Sequence, residues 1–486
     1  MIFFDRISSI HFVGICGTAM ASLAAMLRER GYRVSGSDDG IYPPMSDFLE
    51  GRQIKIMQGY DLKNLRPEPD LVIIGNALSR GNPEIEYVLN FRLPYMSLPE
   101  ALKEFFLRDR VPVVIAGTHG KTTTTAMIAW GLHVAGLRPD FLVGGLAENF
   151  ESSYALGGGR FFVIEGDEYD SAFFDKGPKF MHYLPHLAVL GNVEFDHADI
   201  YPNLDSLRLQ FARFVNLVPA RGFLAVGAES PIALELSRRA FCARETFGVI
   251  PDCDWSARDI DARAGVTAFD LRYRGKLFRR IRLQLIGRYN IRNALAATAI
   301  LHRLGAPEDD IREAMESFKG VRRRLQLLAE IAGIRIYEDF AHHPTAVRET
   351  LLAVREACGP QRLWAIYEPR SATSRRNVFQ VEIAEALSHA DCVAIPDLYR
   401  PEKVPEAERL DLARLIEDLQ SRGREAWNLR DVAGIIQRVC DEAHAGDLII
   451  IMSNGAFGGI YNRLPAALRA RFEQASDRPV GPGCSG

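Results

Sequence analysis

VVIAGTHGKTTTT, residues 113–125, is an apolar run, a glycine turn and a lysine followed by four threonines. The run up to Ala116 reads as a buried parallel strand, and TTTTAMIAWGLHVAG from Thr122 onward reads as the helix after it. Gly117 and Gly120 let the backbone approach an anion closely and turn its N–H groups inward at the helix start. Gly117, Thr118, His119, Gly120, Lys121, Thr122 and Thr123 are therefore the candidate cradle for the phosphates of ATP. Lys121 brings a positive charge to the outer phosphates, and the Thr122 hydroxyl suits Mg2+. The general phosphate-loop pattern has glycine where Ile115 stands, five before Gly120. An ordinary glycine-rich turn with a solvated lysine is the competing reading.

A chain of 486 residues exceeds one core. We divide it at 1–108, 109–318 and 319–486. Hydrophobic content of 47%, charged content of 25% and a net charge of −3 describe a soluble protein with no expectation of nucleic acid or membrane binding. The start MIFFDRISSIHFVG lacks a basic region followed by a long apolar run, and no later run is long enough to span a bilayer. Seven cysteines are scattered without a C-x-x-C pair, which fits a reducing cytoplasm and suggests neither a disulfide framework nor zinc. The tail SDRPVGPGCSG reads as disordered.

In the first domain, Ser9 to Gly14 reads as a strand, Ala19 to Arg30 as a helix, and Arg33 to Gly36 as a second strand ending at Ser37 and Asp38. The turn between them, with Gly14, Cys16, Gly17 and Thr18, makes a βαβ nucleotide-binding opening. It is not G-x-G-x-x-G, so a nicotinamide enzyme is not favoured. Asp38 reads as a ribose or base partner, or as a turn residue. Asn76 sits just past the strand Asp70 to Ile74, at a position open to ligand contact or to plain loop formation.

The phosphate turn opens the middle domain, where Gly144-Gly145-Leu146 reads as a second backbone-exposing turn. The strand Arg160 to Ile164 delivers Glu165, followed by Asp167, Glu168 and Asp170. Acids beside a phosphate site call for a cation between them, and magnesium takes such oxygen ligands. The strand His186 to Leu190 leads to GNVEFDHADIY, in which His197 is either a helix-start or core histidine or part of a polar site. Asn290 and Asn293, three apart on one helix face, suit an adenine edge, with helix capping as the rival for Asn290.

In the last domain, Ile334 to Tyr337, Leu363 to Tyr367, Cys392 to Ile395 and Leu448 to Met452 alternate with helical patterns as a parallel sheet. Its strand ends carry Asp339, His342 and His343, then Glu368 and Arg370, then Ser453 and Asn454. Arg322, Arg323 and Arg324 are either a solvated run or a source of a cation for a phosphate.

Taken together, GTHGKTTTT (117–125), EGDEYD (165–170), NVEFDH (192–197), GRYNIRN (287–293) and DFAHHP (339–344) resemble the Mur ligase family, ATP-dependent amide-bond-forming ligases of peptidoglycan precursors. The resemblance spans nearly the whole chain, and the short phosphate loop is the family's own form. It implies an α/β protein of three domains: N-terminal Rossmann-like for UDP, central P-loop ATPase-type, and C-terminal Rossmann-like. Lys121, Glu165 and His197 would serve catalysis, with Thr122 and Glu165 on a first magnesium and His197 on a second. Asn290 and Asn293 would face adenine, and Arg324 and Asp339 would be the last domain's contribution to ATP. Gly14, Cys16, Gly17, Thr18, Ser37, Asp38 and Asn76 would hold the UDP-sugar. His342 and Arg370 would face substrate, Arg370 through a peptide carboxylate.

HFVGICGTAM and DFAHHPTAV point to the branch acting on UDP-N-acetylmuramate. GNALSRGNPE, GGLAENF, EPRSATS and MSNGAFGGIY favour the tripeptide L-alanyl-γ-D-glutamyl-meso-diaminopimelate as acceptor, in murein recycling, over free L-alanine. No obligate protein partner is implied. Two departures stand out: Tyr289 replaces a frequent histidine, and no lysine lies between Lys179 and Lys276, where several relatives carry a carbamylated metal ligand. Rival classes are a nicotinamide oxidoreductase and a non-catalytic ATP-binding regulator.

Overall fold

The computed structural model describes residues 7–263 and 265–476. From residue 477 on, the tail read as disordered lies outside the described residues, as does Cys484.

The short apolar runs fold as strands because helices cover them on both faces. In the N-terminal sheet five parallel strands lie in the order Lys55–Gln58, Arg33–Asp38, Ser9–Val13, Leu71–Ile74, Tyr95–Ser97. Chain order reverses between Ser9–Val13 and Leu71–Ile74. The turn after Val13 and the loop carrying Asn76 thus leave side by side at a topological switch point, where ligands of such sheets bind.

Ten strands form the central sheet, and Val111–Ala116 lies in its middle, between Leu187–Leu190 and Phe161–Gly166. Ala116 pairs in register with Leu190 on one side and Gly166 on the other, and Ile115 pairs with Glu165. Three segments from distant parts of the sequence therefore emerge together: the phosphate turn, the acidic loop and NVEFDH. The helix Lys121–Val134 packs against Arg288–Arg303 so closely that a Cβ on Gly131 would fall 2.3 Å from Leu301. That approach carries Asn293 to the phosphate turn. Gly144-Gly145-Leu146 is not a separate turn: the three residues lie within the strand Asp140–Ala147, at a register shift between Leu142 and Ala147. The glycines read as a turn because they interrupt the apolar pattern, which a bulge also does.

The C-terminal sheet has six strands in the order Gln326–Ile331, Ile334–Asp339, Leu448–Met452, Leu363–Tyr367, Cys392–Pro396, Glu425–Leu429, parallel except for the first. The two outermost strands escape the apolar-run reading because each is only half covered. Asp339 and Tyr367 both pair with Met452, so DFAHHP, the loop with Glu368 and Arg370, and Ser453-Asn454 also leave at one edge.

One apolar cluster runs from the N-terminal sheet through Phe105, Phe106 and Leu107 into the central sheet, with Phe106 against Phe162. The C-terminal domain meets the middle one through many polar contacts, among them Ala198 N–H to Thr373 Oγ1 at 3.1 Å and Arg292 to Glu349. Polar seams of this kind suit domains that open and close. Among the described residues no helix is long and apolar enough to cross a membrane.

Candidate active site

The phosphate turn is held open by its neighbours. Thr118 N–H donates to the Asn192 carbonyl at 2.9 Å and His119 N–H to Asn192 Oδ1 at 2.9 Å, while Glu194 N–H donates to Thr118 Oγ1 at 2.9 Å. Gly120 caps the helix with φ +79° and no side-chain cap, so the first-turn N–H groups face outward for an anion. Its positive φ favours glycine, and a Cβ there would sit 2.5 Å from Asn293 Oδ1 and push that amide aside. Asn293 also accepts from Thr124 Oγ1 at 3.2 Å and donates to Asn290 at 3.3 Å. Asn290 is not the helix cap, a place taken by Gly287. Its amide donates to the Ile286 carbonyl at 2.8 Å.

Lys121 Nζ reaches back to the Gly117 carbonyl at 2.8 Å and pairs with Glu168 at 2.8 Å. Glu168 also takes His197 Nε2 at 3.0 Å. Burial alone would raise the Glu168 carboxyl, but Lys121 and His197 together hold it below its usual range, and Glu168 in turn raises the pKa of both bases against the cost of burial. His197 is therefore neither a helix-start nor a core histidine. It lies at φ +56°, ahead of the helix Leu204–Leu217, with its ring against Tyr169.

Glu165 behaves in the opposite way. It is held by Thr122 Oγ1 at 3.0 Å and by the Gly144 N–H, with no ion pair among the described residues, and burial followed by repulsion from Asp167 pushes its carboxyl up. A half-buried carboxylate at the end of a strand and a hydroxyl in the first turn of the neighbouring helix form an oxygen donor pair suited to Mg2+.

From the C-terminal domain, Arg324 donates to Thr122 Oγ1 at 3.3 Å. Its neighbours do other work: Arg322 pairs with Glu148, and Arg323 is tied to Glu338, two backbone carbonyls and Tyr461. Asp339 accepts the Leu325 N–H at 2.6 Å and the Ala341 N–H at 2.7 Å, so its carboxylate shapes the turn that presents Arg324.

A narrow crevice of about 10 Å³ opens at the seam, lined by Asp196, His342, Tyr367, Thr373 and Arg376 among others. His342 Nδ1–H donates to the Phe340 carbonyl at 3.0 Å, which leaves Nε2 facing Asp196 Oδ2 at 4.0 Å. Burial pulls the His342 pKa down. Arg370 stacks on Tyr399 at 3.9 Å and leans on Glu368 at 3.5 Å. Arg376, unremarked in the sequence, is the arginine that lines the crevice.

His343 caps the helix Pro344–Cys358 by accepting the Thr345 N–H at 3.2 Å, and its Nε2–H donates to the Phe195 carbonyl at 3.1 Å across the seam. Burial pushes its pKa down to about 4. Since that is below the ordinary value of about 6.5, the unfolded chain binds this proton more tightly. Stability is complete above about pH 6.5 and falls as pH drops from there toward 4, by up to about 3 kcal/mol. Thermal midpoints measured across that range should fall less steeply in His343→Asn than in the wild type; parallel curves would show that another group carries the effect.

In the N-terminal domain, Gly14 and Ile15 N–H groups donate to the Ser37 carbonyl, and Asp38 accepts the Cys16 N–H at 2.9 Å and the Gly40 N–H at 2.9 Å. Asp38 thus fixes the turn itself. The Ser37 side chain departs from its expected place: its hydroxyl is fully buried and donates to Glu84 at 2.5 Å, away from the loop mouth. Thr18, at the start of an uncapped helix, and Asn76 are exposed at the switch point, beside Gly17.

A glycine turn shaped for phosphate in the central domain, an oxygen donor pair beside it and an arginine delivered from a third domain are the parts expected of a nucleotide-dependent enzyme. Three family models match in succession: Mur ligase family, catalytic domain (residues 9–110), Mur ligase middle domain (115–301), and Mur ligase, glutamate ligase domain (323–455). The chain belongs to the Mur ligase family, ATP-dependent enzymes that form an amide bond. Within it, the chain is 42% identical to the UDP-N-acetylmuramate–L-alanyl-γ-D-glutamyl-meso-2,6-diaminoheptanedioate ligase of Escherichia coli, over 96% of this chain and 99% of the relative. It is 37% identical to the crystal structure of a murein peptide ligase from Psychrobacter arcticus, with a TM-score of 0.71 over 95% of this chain and 99% of that one. A UDP-N-acetylmuramate–L-alanine ligase of Acetivibrio thermocellus is 31% identical over 93% of this chain and 94% of its own length.

Proposed function

We propose that this chain joins UDP-N-acetylmuramate to the tripeptide L-alanyl-γ-D-glutamyl-meso-diaminopimelate, at the expense of ATP and with Mg2+, in the cytoplasmic recycling of murein. The observation that carries this reading is the full-length 42% identity to a relative named for that acceptor. We place the domain boundaries near residues 108 and 318, the first two residues before the end of the matched segment 9–110 and the second between the segments 115–301 and 323–455.

A carboxylate is a poor acyl donor, so the lactyl carboxylate first takes the γ-phosphoryl group of ATP and becomes an acyl phosphate. Lys121 and the first-turn N–H groups neutralise the repulsion between the two anions and the charge on the leaving oxygen. Thr122 and Glu165 hold the magnesium, which when bound adds screening of the same charges. Arg324 completes the cradle only when the C-terminal domain is closed, which also excludes the water that would hydrolyse the acyl phosphate. The peptide amine then attacks the acyl carbon and phosphate leaves.

Incubation with ATP, UDP-N-acetylmuramate and tripeptide should yield UDP-N-acetylmuramyl-tripeptide, ADP and phosphate in equal amounts by mass spectrometry and phosphate assay. ADP formed without the amide product would count against the reading. Arg370→Ala should raise the KM for tripeptide at least about tenfold, the cost of a lost charge-assisted pair, and leave the KM for ATP nearly unchanged. Equal rises in both would mean that Arg370 merely braces Glu368 and Tyr399.

A further inference from the structure

We infer that His119, Glu194 and His343 form a site for one transition-metal cation of the zinc class, and that the ion ties the C-terminal domain to the phosphate turn. The site is separate from Thr122, Glu165 and His197, and it does not depend on which peptide the enzyme accepts.

Spacing is the first argument. His119 Nε2 lies 3.2 Å from Glu194 Oε2, and His343 Nδ1 lies 3.6 Å from the same oxygen. One donor atom from each of the three side chains falls within 4.8 Å of the other two. Ligands about 2.0–2.2 Å from a tetrahedral ion stand roughly 3.4 Å apart, so an ion fits between these three with small side-chain shifts.

The second argument is ligand state. The Phe195 carbonyl can only accept, so His343 carries its proton on Nε2; its Nδ1 lone pair, 3.6 Å from Glu194 Oε2, accepts the Thr345 N–H, a bond that an ion here would replace. A ligating imidazole whose other N–H donates to a backbone carbonyl is the usual second-shell arrangement of metal-bound histidine. Glu194 presents Oε2 to both histidines, at 3.2 Å from His119 Nε2 and 3.6 Å from His343 Nδ1. His119 Nε2 points at Glu194 at 3.2 Å and becomes a ligand when the ion displaces the proton it carries there, leaving Nδ1 as the N–H. Two imidazoles and one carboxylate favour zinc or cobalt over magnesium and leave a fourth position open.

Position is the third. His119 belongs to the phosphate turn and Glu194 to the loop that braces it, while His343 caps a helix of the C-terminal domain. The His119 and His343 rings lie 4.7 Å apart across the seam. Opening the domains parts His343 from the other two ligands, so an ion here favours the closed arrangement.

The test uses the full-length protein stripped with a chelator and titrated with Co2+ in excess Mg2+, which occupies the all-oxygen site. One equivalent of Co2+ should give the intense visible absorption of a four-coordinate centre, and Zn2+ should bleach it. His343→Asn, which keeps a cap for the Thr345 N–H, and Glu194→Gln should each weaken Co2+ binding at least tenfold. Zn2+ should also slow tryptic cleavage at the Arg322–Arg324 junction between the domains. Only the weak absorption of a six-coordinate ion, or unchanged affinity in both variants, would overturn the site. Unchanged cleavage would overturn the tie.

Discussion

Replacing Lys121 with alanine should lower kcat for ligation by at least about 10³-fold while the chain stays folded, because its ammonium is the one fixed full charge placed against the phosphates by the cradle itself. Nζ is already aimed there by the Gly117 carbonyl, so wild-type reaction needs little reorganisation. Folding survives because the substitution falls at the first helical position, and Glu168 keeps His197 as a partner. Some stability is lost, since Glu168 is buried and gives up half of its counter-charge. Circular dichroism should show wild-type secondary structure alongside the collapse in turnover. Near-normal turnover by a well-folded variant would remove the phosphate cradle from the account.

Glu165→Gln should separate activity from stability in the other direction. The wild-type carboxylate is half-buried and its ionised form is disfavoured by burial and by Asp167. An amide of the same shape keeps an acceptor for the Gly144 N–H, and the Thr122 hydroxyl can rotate to accept from the new NH2. The thermal midpoint without magnesium should therefore hold or rise, while kcat falls by about 10²–10³-fold and the magnesium requirement shifts to higher concentration. A fall in stability with magnesium dependence intact would mean that Glu165 is structural.

Much of the architecture was legible because buried parallel strands are short apolar runs, and the residue after each run sits at the sheet edge where ligands bind. That logic singled out the phosphate turn, Glu165, His197 and the DFAHHP loop, while the asparagine pair came from spacing on a helix face. It failed where only pairing partners decide. Nothing in the run EGDEYD distinguishes Glu168, which meets Lys121 and His197, from Asp170, which meets an exposed Lys176. Nothing in three successive arginines says that Arg324 alone reaches Thr122. Asp38 and Asp339 were legible as strand-end acids, but both carboxylates accept backbone N–H groups, so they shape ligand-binding turns. Ser37 alternates inward from Asp38 and so was lost to the core. The seam contacts of Glu194, His343 and Thr373 depend on how two domains dock, which no local pattern encodes.

The acceptor is the centre of the account. Phosphate release from ATP, measured with UDP-N-acetylmuramate and either L-alanyl-γ-D-glutamyl-meso-diaminopimelate or free L-alanine, tests it most directly. The account predicts turnover with the tripeptide and little with L-alanine. Turnover chiefly with L-alanine would contradict it and move the protein to the first amino-acid addition of the biosynthetic route.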